Sequence, residues 1–434
     1  MTFVSKLPVK KLKQFLIPIL IIICFVGIYL SIPSENNTFN DIRERDKIKH
    51  RVEYSNSSII RETEKPFEVN WNFNYSTTSI NYNFHIFYYA WFGNIKSDGK
   101  WIHWNHRRVP HWNQGLVNEY SQAIHIPPED IGSDFYPALG LYSSKNITII
   151  RQHLTMIRYT GIGVLVLSWY TKDKADPNGI PMDGLVNIIL NECLKLQLKV
   201  ALHLEPYPRR SIYSVKDDLS YIYKNYANHP AYYKKLHFKT KKQLPVVFVY
   251  DSYLISSYDW NQIFGIKRPQ TIRGEPNDFF VVGLLLDRDS CDELSKSGFD
   301  AGYTYFVGEQ VSFSSGSSHW IEMNRKCSLK NIEFYPSIGP GYKDASVRPW
   351  NEFVTQDRMN GEFYTKKFQK AKESGARSIG ITSFNEWHEG TQIEPAIPHW
   401  NPGNRLKYEN YLPNSPTFYL NLTKKFVRNF SILT

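Results

Sequence analysis

Two glutamates near the carboxyl terminus have the spacing of an acid–base pair. Glu386 and Glu389 lie three residues apart in the segment SFNEWHEGTQIEP, directly after an apolar run. If the backbone turns helically there, side chains at that spacing share one face, with Cβ atoms about 5–6 Å apart. Retaining glycosidases hold two carboxyl groups about 5–5.5 Å apart, and such neighbours resist ionising together, so that one stays protonated as an acid. The pair therefore predicts catalysis at a glycosidic bond; the alternative is a surface loop with two solvated glutamates.

Two other patterns raise the question of a metal. His388 and Glu389 could begin the zinc motif H-E-x-x-H, but Gln392 stands where the second histidine is needed. Asp287 and Asp289 form a D-x-D after an apolar run. Many Golgi nucleotide-sugar transferases hold Mn²⁺ in this way, because oxygen ligands suit that ion. The D-x-D motif is short and frequent by chance. We therefore expect no metal and no other cofactor, and keep a Mn²⁺-dependent Golgi glycosyltransferase as the alternative function.

A repeating pattern of strands and helices follows residue 80. Near-continuous apolar strands that alternate with helices indicate a parallel sheet with both faces covered. The predicted strands are Phe84–Trp91, Gly163–Trp169, Lys199–Glu205, Pro245–Tyr250, Phe279–Leu286, Asp300–Phe306, Ile332–Ile338 and Ser378–Phe384. The clearest helices are Asn146–Tyr159, Leu185–Leu196, His319–Cys327 and Gly361–Glu373. Eight such units predict an α/β fold, the (β/α)8 barrel. A doubly wound open sheet is the alternative, but no G-x-G-x-x-G follows the first strand.

In such a barrel the active site lies at the carboxyl ends of the strands. Aromatic residues and carboxylates dominate these positions, a composition that suits carbohydrate, because rings stack on the C–H face of a sugar and carboxylates accept hydrogen bonds from its hydroxyls. The candidate substrate-binding residues are Tyr88, Tyr89, Trp169, Tyr170, His203, Glu205, Tyr253, Tyr305, Asn385, Trp387 and His388. Trp91, Tyr207, Asp251 and Tyr303 follow the same strands. Any one of these aromatic rings could instead fill the upper layer of the barrel.

An apolar segment near the amino terminus predicts a membrane anchor. Residues 15–32 read FLIPILIIICFVGIYLSI, without a charge, and as a helix would span roughly 27 Å. A cleaved signal peptide is the alternative, but its apolar region is usually about 7–15 residues long and ends in a small-x-small site, which is missing here. Lysines precede the segment, so residues 1–14 should face the cytosol. We expect a single-pass type II protein with a polar lumenal stem over 33–80 and a catalytic domain over 81–434.

Sequons and cysteines fit a lumenal domain. Six N-x-S/T sequons begin at Asn36, Asn56, Asn74, Asn146, Asn421 and Asn429, all candidate glycosylation sites. Outside the apolar segment there are three cysteines, Cys193, Cys291 and Cys327, which allow at most one disulfide. We expect Cys193, inside a helical pattern, to be a buried apolar residue. The hydrophobic core must therefore provide most of the stability.

Charge and composition exclude several classes of protein. The 434 residues carry a formal net charge of +11, with 42% hydrophobic and 15% aromatic residues. That composition excludes a disordered or fibrous chain. Four of the excess cations precede the apolar segment, and the others are spread without a basic run. We therefore expect no nucleic-acid partner, since a nucleic-acid binder concentrates its charge on one face.

Segments across most of the predicted lumenal domain resemble one enzyme family. In chain order they are HIFYYAWFGN (85–94), HWNH (103–106), DFYPALGLYSS (134–144), GVLVLSWY (163–170), HLEPY (203–207), NHPAYY (228–233), VYDSY (249–253), GFDAGYTYF (298–306), PSIGPGY (336–342), RPWN (348–351) and ITSFNEWHEGTQIEP (381–395). They resemble the glycoprotein endo-α-1,2-mannosidases, glycoside hydrolase family 99. The anchored amino terminus is similar to that of the animal Golgi members.

The resemblance implies a (β/α)8 barrel that needs no metal and retains anomeric configuration. It implies cleavage inside an arm of glucosylated high-mannose N-glycans on glycoproteins, with release of a glucosylated mannose (Glc1–3Man). Glu386 matches the family's base, which takes the proton of the sugar's own 2-hydroxyl so that a 1,2-anhydro sugar forms. Glu389 matches the acid/base residue. Two alternatives stay open: direct attack by Glu386 to form a glycosyl-enzyme, and a catalytically silent relative that only binds glycans.

Overall fold

The structure, a computed structural model, describes residue 69 and residues 71–237, 240–401 and 406–430. The predicted cytosolic tail (1–14), the membrane segment (15–32) and most of the stem (33–80) lie outside the described residues, as do the sequons at Asn36 and Asn56. Across the described ranges, no helix is both long and apolar enough to cross a bilayer. Nearly all of the described residues belong to the predicted catalytic domain.

Eight parallel strands form a nearly closed barrel. They are β1 Asn81–Tyr88, β2 Ile162–Trp169, β3 Lys199–Leu204, β4 Gln243–Val249, β5 Phe280–Leu284, β6 Ala301–Tyr303, β7 in two pieces (Glu333–Tyr335 and Ser337–Ile338) and β8 Ile379–Ile381. The ring is interrupted at Pro336, which has no N–H to donate to a ladder. The first piece of β7 pairs with β6 and the second with β8. Phe84 of β1 lies opposite Ile379 of β8. This pairing confirms the barrel and excludes the open, doubly wound sheet.

A helix follows each strand and covers its outer face. The helices are α1 Ile147–Thr160, α2 Asp183–Lys195, α3 Ile212–Asn225, α4 Ser257–Phe264, α5 Ser290–Ser297, α6 Trp320–Leu329, α7 Glu362–Glu373 and α8 Phe418–Asn429. The four predicted helices correspond to α1, α2, α6 and α7, with ends that differ by at most two residues. Helix α1 begins where the Asn146 side chain accepts a hydrogen bond from the N–H of Thr148, and ends at Gly161, whose φ is +85°. Both are ordinary ends of a helix.

Two long connections build the upper end of the barrel. Residues 89–146 follow β1 and residues 382–417 follow β8. A short antiparallel ladder between Tyr136–Pro137 and Ala396–Ile397 joins them. Smaller elements are the helix Ile95–Asp98, the strand Lys234–Leu236 beside β4, the ladder of Trp400–Asn401 with Leu406–Lys407, and 3₁₀ turns at Val117–Glu119, Ser252–Leu254, Ser317–His319, Pro349–Val354 and Met359–Gly361. The chain that follows the first strand therefore packs on the chain that follows the last.

One disulfide links neighbouring helices. Cys291 of α5 is bonded to Cys327 of α6, with Cα atoms 5.0 Å apart. Cys193 of α2 is a free thiol and fully buried, as predicted. The sequence allowed the three cysteines outside the apolar segment at most one disulfide and left the pairing open; the packing of α5 against α6 determines it.

Candidate active site

A cleft of about 560 Å³ opens at the carboxyl ends of the strands. Its lining combines carboxyl groups, aromatic rings and imidazoles. These side chains include Glu386, Glu389, Tyr89, Trp91, His103, His106, Tyr170, Asp176, His203, Glu205, Tyr250, Tyr305 and His388, together with the guanidinium of Arg348. Both glutamates of the predicted pair therefore lie at the position where a barrel places its active site.

The segment that carries the two glutamates is a turn over residues 387–390 and not part of a regular helix. Several bonds hold it in place. The hydroxyl of Ser383 accepts a hydrogen bond from the N–H of Glu386 at 2.8 Å, and the carbonyl of Glu389 accepts one from the N–H of Lys343, also at 2.8 Å. Gly390 follows with φ at +58°, and a Cβ there would lie 2.7 Å from the Lys343 carbonyl. These constraints fix the backbone between the two carboxyl groups.

Both carboxyl groups are buried, and burial changes their acidity. Glu386 is 3% exposed and Glu389 is 8% exposed. Burial, and then the charge of Glu386, raise the pKa of Glu389 to about 8, while Arg348 acts in the opposite direction. Burial also raises the pKa of Glu386 well above its usual value, again against Arg348. Nη1 of Arg348 lies 3.7 Å from Oε1 of Glu389 and 2.9 Å from Oδ2 of Asp344. Near neutral pH these effects favour the protonated form of Glu389.

Histidines lie around Glu386. Nδ1 of His388 is 3.1 Å from Oε1 of Glu386, and the main-chain N–H of His388 donates to the same oxygen at 3.2 Å. The other ring nitrogen, Nε2, donates to the carbonyl of His103 at 3.0 Å. The ring of His103 stacks on Trp91, with centroids 4.3 Å apart. Because burial lowers the pKa of both His103 and His388, these rings are neutral.

A second histidine–carboxyl contact joins a residue of strand β3 to the residue that directly follows the strand. Nδ1 of His203 lies 3.1 Å from Oε1 of Glu205, which also accepts a hydrogen bond from the Ser168 hydroxyl at 2.8 Å. The hydroxyls of Tyr89 and Tyr305 share a short hydrogen bond, and burial raises the pKa of both phenols. These groups offer hydrogen bonds and ring faces, which sugar hydroxyls and C–H faces require.

The structure brings some of the predicted residues into the cleft and places others behind it. Tyr89, Tyr170, His203, Glu205, Tyr305 and His388 line the cleft with the two glutamates; Tyr88, Trp169, Tyr253, Asn385 and Trp387 do not. The period of two along a strand explains two of these positions. Tyr88 is directed toward α1, where its hydroxyl is 3.0 Å from Nδ1 of His153, and Nε1 of Trp169 donates to Asp183 of α2.

Three further predicted residues lie outside the lining for different reasons. Asn385 is fully buried and bonds to the main chain of Tyr89. Trp387 is also fully buried, and its Nε1 donates to Glu394 at 3.0 Å. Tyr253 lies in the 3₁₀ turn after β4, beside Asp251, and is half-buried. Asn385 and Trp387 therefore support the cleft from beneath.

Sequence reasoning missed several lining residues. His103, His106, Asp176 and Arg348 come from connections without any periodic pattern, and Tyr250 directly follows β4. A signal for four of them existed, because the segments HWNH, VYDSY and RPWN resemble the family, but no role followed from it. Burial raises the pKa of Asp176 to about 6. Arg348 is the most consequential omission, since it is the cation beside both glutamates.

The metal alternatives find little support among the described residues. Asp287 and Asp289 are exposed and absent from the cleft lining. His103, His106 and His388 have ring nitrogens within 4.8 Å of one another. His106, however, uses both of its nitrogens, toward the carbonyl of Arg107 and the amide of Asn178. The ring nitrogens of His388 face a carbonyl and Glu386, so we assign hydrogen-bonding roles to His106 and His388.

Comparisons with known proteins agree with this geometry. Residues 79–432 match the family described as Glycosyl hydrolase family 99. The chain is 42% identical over 352 residues to the glycoprotein endo-alpha-1,2-mannosidase of Xenopus laevis, covering 81% of this chain and 77% of that protein. It is 42% identical over 346 residues to a glycoprotein endo-alpha-1,2-mannosidase-like protein of Homo sapiens, covering 80% and 75%. The structure of the GH99 endo-alpha-mannosidase from Bacteroides thetaiotaomicron superposes with a TM-score of 0.73 at 35% identity, covering 81% of this chain and 98% of that one.

Proposed function

The chain belongs to glycoside hydrolase family 99, and we propose that this glycoside hydrolase is an endo-acting α-1,2-mannosidase. Its proposed substrates are glucosylated high-mannose N-glycans on glycoproteins, from which it releases Glc1–3Man with retention of configuration. Relatives that are 42% identical to it are named endo-alpha-1,2-mannosidases or are named as similar to them, which supports the α-1,2-mannosidic bond as the one that is cut. The observation that carries the proposal is the buried pair of Glu386 and Glu389, with the pKa of Glu389 at about 8.

In the first proposed step, the sugar's own 2-hydroxyl displaces the leaving group. Glu386 takes the hydroxyl proton, O2 attacks C1, and the C1–O bond to the departing sugar breaks as Glu389 protonates that oxygen. In mannose the 2-hydroxyl is trans to an α-linked group, so O2 can attack from the rear. An intramolecular attack also profits from a high effective molarity. The product is a 1,2-anhydro sugar.

In the second step, water opens the anhydro ring. Glu389, now a carboxylate, takes a proton from the water as its oxygen bonds to C1, and Glu386 returns its proton to O2. Two inversions at C1 give net retention. If Glu386 instead attacked C1 directly, a glycosyl-enzyme would form. A glycan whose mannose lacks the 2-hydroxyl separates the two routes, because only direct attack can process it.

We also propose a location for the enzyme, a single-pass type II protein of the Golgi membrane anchored by residues 15–32, with the barrel in the lumen. The sequons fit a lumenal domain: Asn74 and Asn146 have exposed side chains. Asn421 and Asn429 are also exposed, on α8. Removal of N-glycans by an amidase should lower the apparent mass of the chain. Protease protection of the barrel in sealed Golgi vesicles tests its orientation.

In the decisive experiment, the full-length chain in detergent is incubated with a monoglucosylated Man9 glycan, with and without EDTA. The products are identified by mass spectrometry. Release of intact glucosyl-mannose, insensitive to the chelator, is expected. Free glucose would indicate an exo-acting glucosidase. Glycan binding without cleavage would mean that the protein is a catalytically silent relative that only binds glycans. Activity only in the presence of a nucleotide sugar and Mn²⁺ would favour a glycosyltransferase.

A further inference from the structure

We propose that Glu386 and His388 share one proton, and that His388 is the positioning residue that lets Glu386 act as a base. The inference rests on the proposed function, because it concerns how Glu386 takes the proton of the 2-hydroxyl. It resolves a conflict in the cleft. Burial raises the pKa of Glu386 well above its usual value and so favours the protonated carboxyl, whereas a general base must have a lone pair to offer.

The main chain fixes which nitrogen of His388 carries the hydrogen. Nε2 lies 3.0 Å from the carbonyl oxygen of His103. A carbonyl oxygen can only accept, so Nε2 donates, and the neutral ring therefore has its lone pair on Nδ1. The ring is held in this orientation by its neighbours, since its centroid is 4.6 Å from that of His106 and 5.5 Å from that of Phe92.

The lone pair on Nδ1 faces Glu386. Nδ1 is 3.1 Å from Oε1 of that carboxyl group, within hydrogen-bonding distance. At this distance a lone pair and an ionised carboxylate oxygen repel each other, whereas a proton on Oε1 turns the contact into an attraction. The main-chain N–H of His388 donates to the same oxygen at 3.2 Å. Oε2 is then the oxygen of Glu386 available to a sugar hydroxyl.

Burial and the surrounding charges favour the shared proton on Glu386 over His388 in the resting enzyme. Burial, and then the charges of Arg348 and His125, lower the pKa of His388 to about 3. Glu205 and Asp176 add to the effect of burial on the pKa of Glu386 and favour its protonated form. The titratable and charged groups that face the pair are Glu389, Glu205, Asp176, Tyr89, Tyr305, Arg348, His103, His106 and His125.

Two protons then move together in the first step. The O2–H bond breaks and that hydrogen bonds to Oε2 of Glu386, while the Oε1–H bond breaks and its hydrogen bonds to Nδ1 of His388. Glu386 stays neutral, His388 becomes an imidazolium, and the electron pair of O2 goes to C1. When water opens the ring, both protons return along the same path. Without His388, only the ionised form of Glu386, which burial disfavours, can accept the proton.

The test is the pH dependence of kcat/KM in the full-length chain. His388→Phe removes the accepting nitrogen but keeps the main-chain bond to Oε1. The acidic limb should then move to higher pH by about one unit or more, with about a tenfold loss on that limb and recovery at higher pH. The matched control is His153→Phe, which removes another buried contact, from Nε2 to Oε1 of Glu394 at 3.2 Å, outside the cleft. It should keep the wild-type limb.

An unchanged acidic limb in His388→Phe overturns the proposal, even if kcat falls, and so does an equal shift in the control. Failure of the proposed function is a separate result, namely that the wild type releases no glucosyl-mannose. In that event, or if His388→Phe does not fold, the shared proton is tested by infrared difference spectra of the wild type recorded at a series of pH values. A band from a protonated carboxyl at neutral pH that disappears in Glu386→Gln supports the shared proton, and its absence refutes it.

Discussion

The side chain of Asn385 forms both possible main-chain bonds to Tyr89. Its Oδ1 accepts from the N–H and its Nδ2 donates to the carbonyl, each at 2.8 Å, across 296 positions of sequence. Asn385 directly precedes Glu386, and Tyr89 directly follows β1. The two bonds therefore tie the position of Glu386 to the end of the first strand.

Replacing this side chain should affect catalysis and stability together. Asn385→Ala leaves a buried N–H and a buried carbonyl unpaired, which should lower the free energy of unfolding by about 1–3 kcal/mol. It should also reduce kcat about tenfold or more, because a small displacement of Glu386 spoils the alignment with the 2-hydroxyl. Urea unfolding and steady-state kinetics measure the two effects.

The matched control is Asn324→Ala, which removes an amide-to-carbonyl bond of 2.8 Å to Ser374, between outer segments. It should leave kcat unchanged. Equal losses of kcat in both variants would show that the cleft responds to general destabilisation.

The two glutamates should differ in their dependence on the leaving group. Glu389→Gln cannot protonate the departing oxygen, so it should lose hydrolysis of natural glycans but keep much of its turnover of a substrate with an activated aryl leaving group. Glu386→Gln should lose both, since an amide cannot accept the 2-OH proton. Both variants should still bind the glycan in calorimetry. If Glu389→Gln hydrolysed natural glycans at the wild-type rate, Glu389 would not be the general acid.

The sequence predicts the barrel well because the signal is repeated. Eight apolar runs alternate with helical patterns, so an error in one unit does not change the result. The least accurate bounds are those of short strands: β8 covers Ile379–Ile381, whereas the prediction extends over Ser378–Phe384. After Ile381 the chain leaves the ladder to build the cleft, which side-chain type alone does not reveal.

The site was harder to predict than the fold, for a geometric reason. Which of two adjacent aromatics faces the cleft depends on strand register, so Tyr88 is buried against α1 while its neighbour Tyr89 lines the cleft. Arg348 lies in a connection without periodicity. Nothing in its local sequence indicates that its Nη1 lies 3.7 Å from Oε1 of Glu389. Long-range approaches of this kind arise from tertiary folding.

Arg348 should set the alkaline limit of activity. As an acid, Glu389 must be protonated, so activity should fall as pH rises through its pKa of about 8. Because Arg348 lowers that pKa, Arg348→Gln should shift the alkaline limb of kcat/KM to higher pH, by about 0.5–1 unit. Arg151→Gln removes an exposed partner of Glu192 and should leave the limb in place. A shift to lower pH in Arg348→Gln would contradict the assigned electrostatics.

Removing the D-x-D carboxylates should leave hydrolysis intact. The Asp289 side chain is 82% exposed, its nearest cation is Nζ of Lys326 at 3.9 Å, and neither Asp287 nor Asp289 lines the cleft. We expect the double variant Asp287→Asn, Asp289→Asn to release glucosyl-mannose at the wild-type rate, with EDTA without effect on either protein. The measurement is the initial rate at saturating glycan, before and after dialysis against chelator. A rate that fell in the double variant and recovered on adding Mn²⁺ would mean that these aspartates hold a working metal, because mutating exposed, solvated carboxylates otherwise changes little.

Loss of rate without recovery, together with a lowered unfolding temperature, would instead point to the packing of the turn that joins β5 to α5.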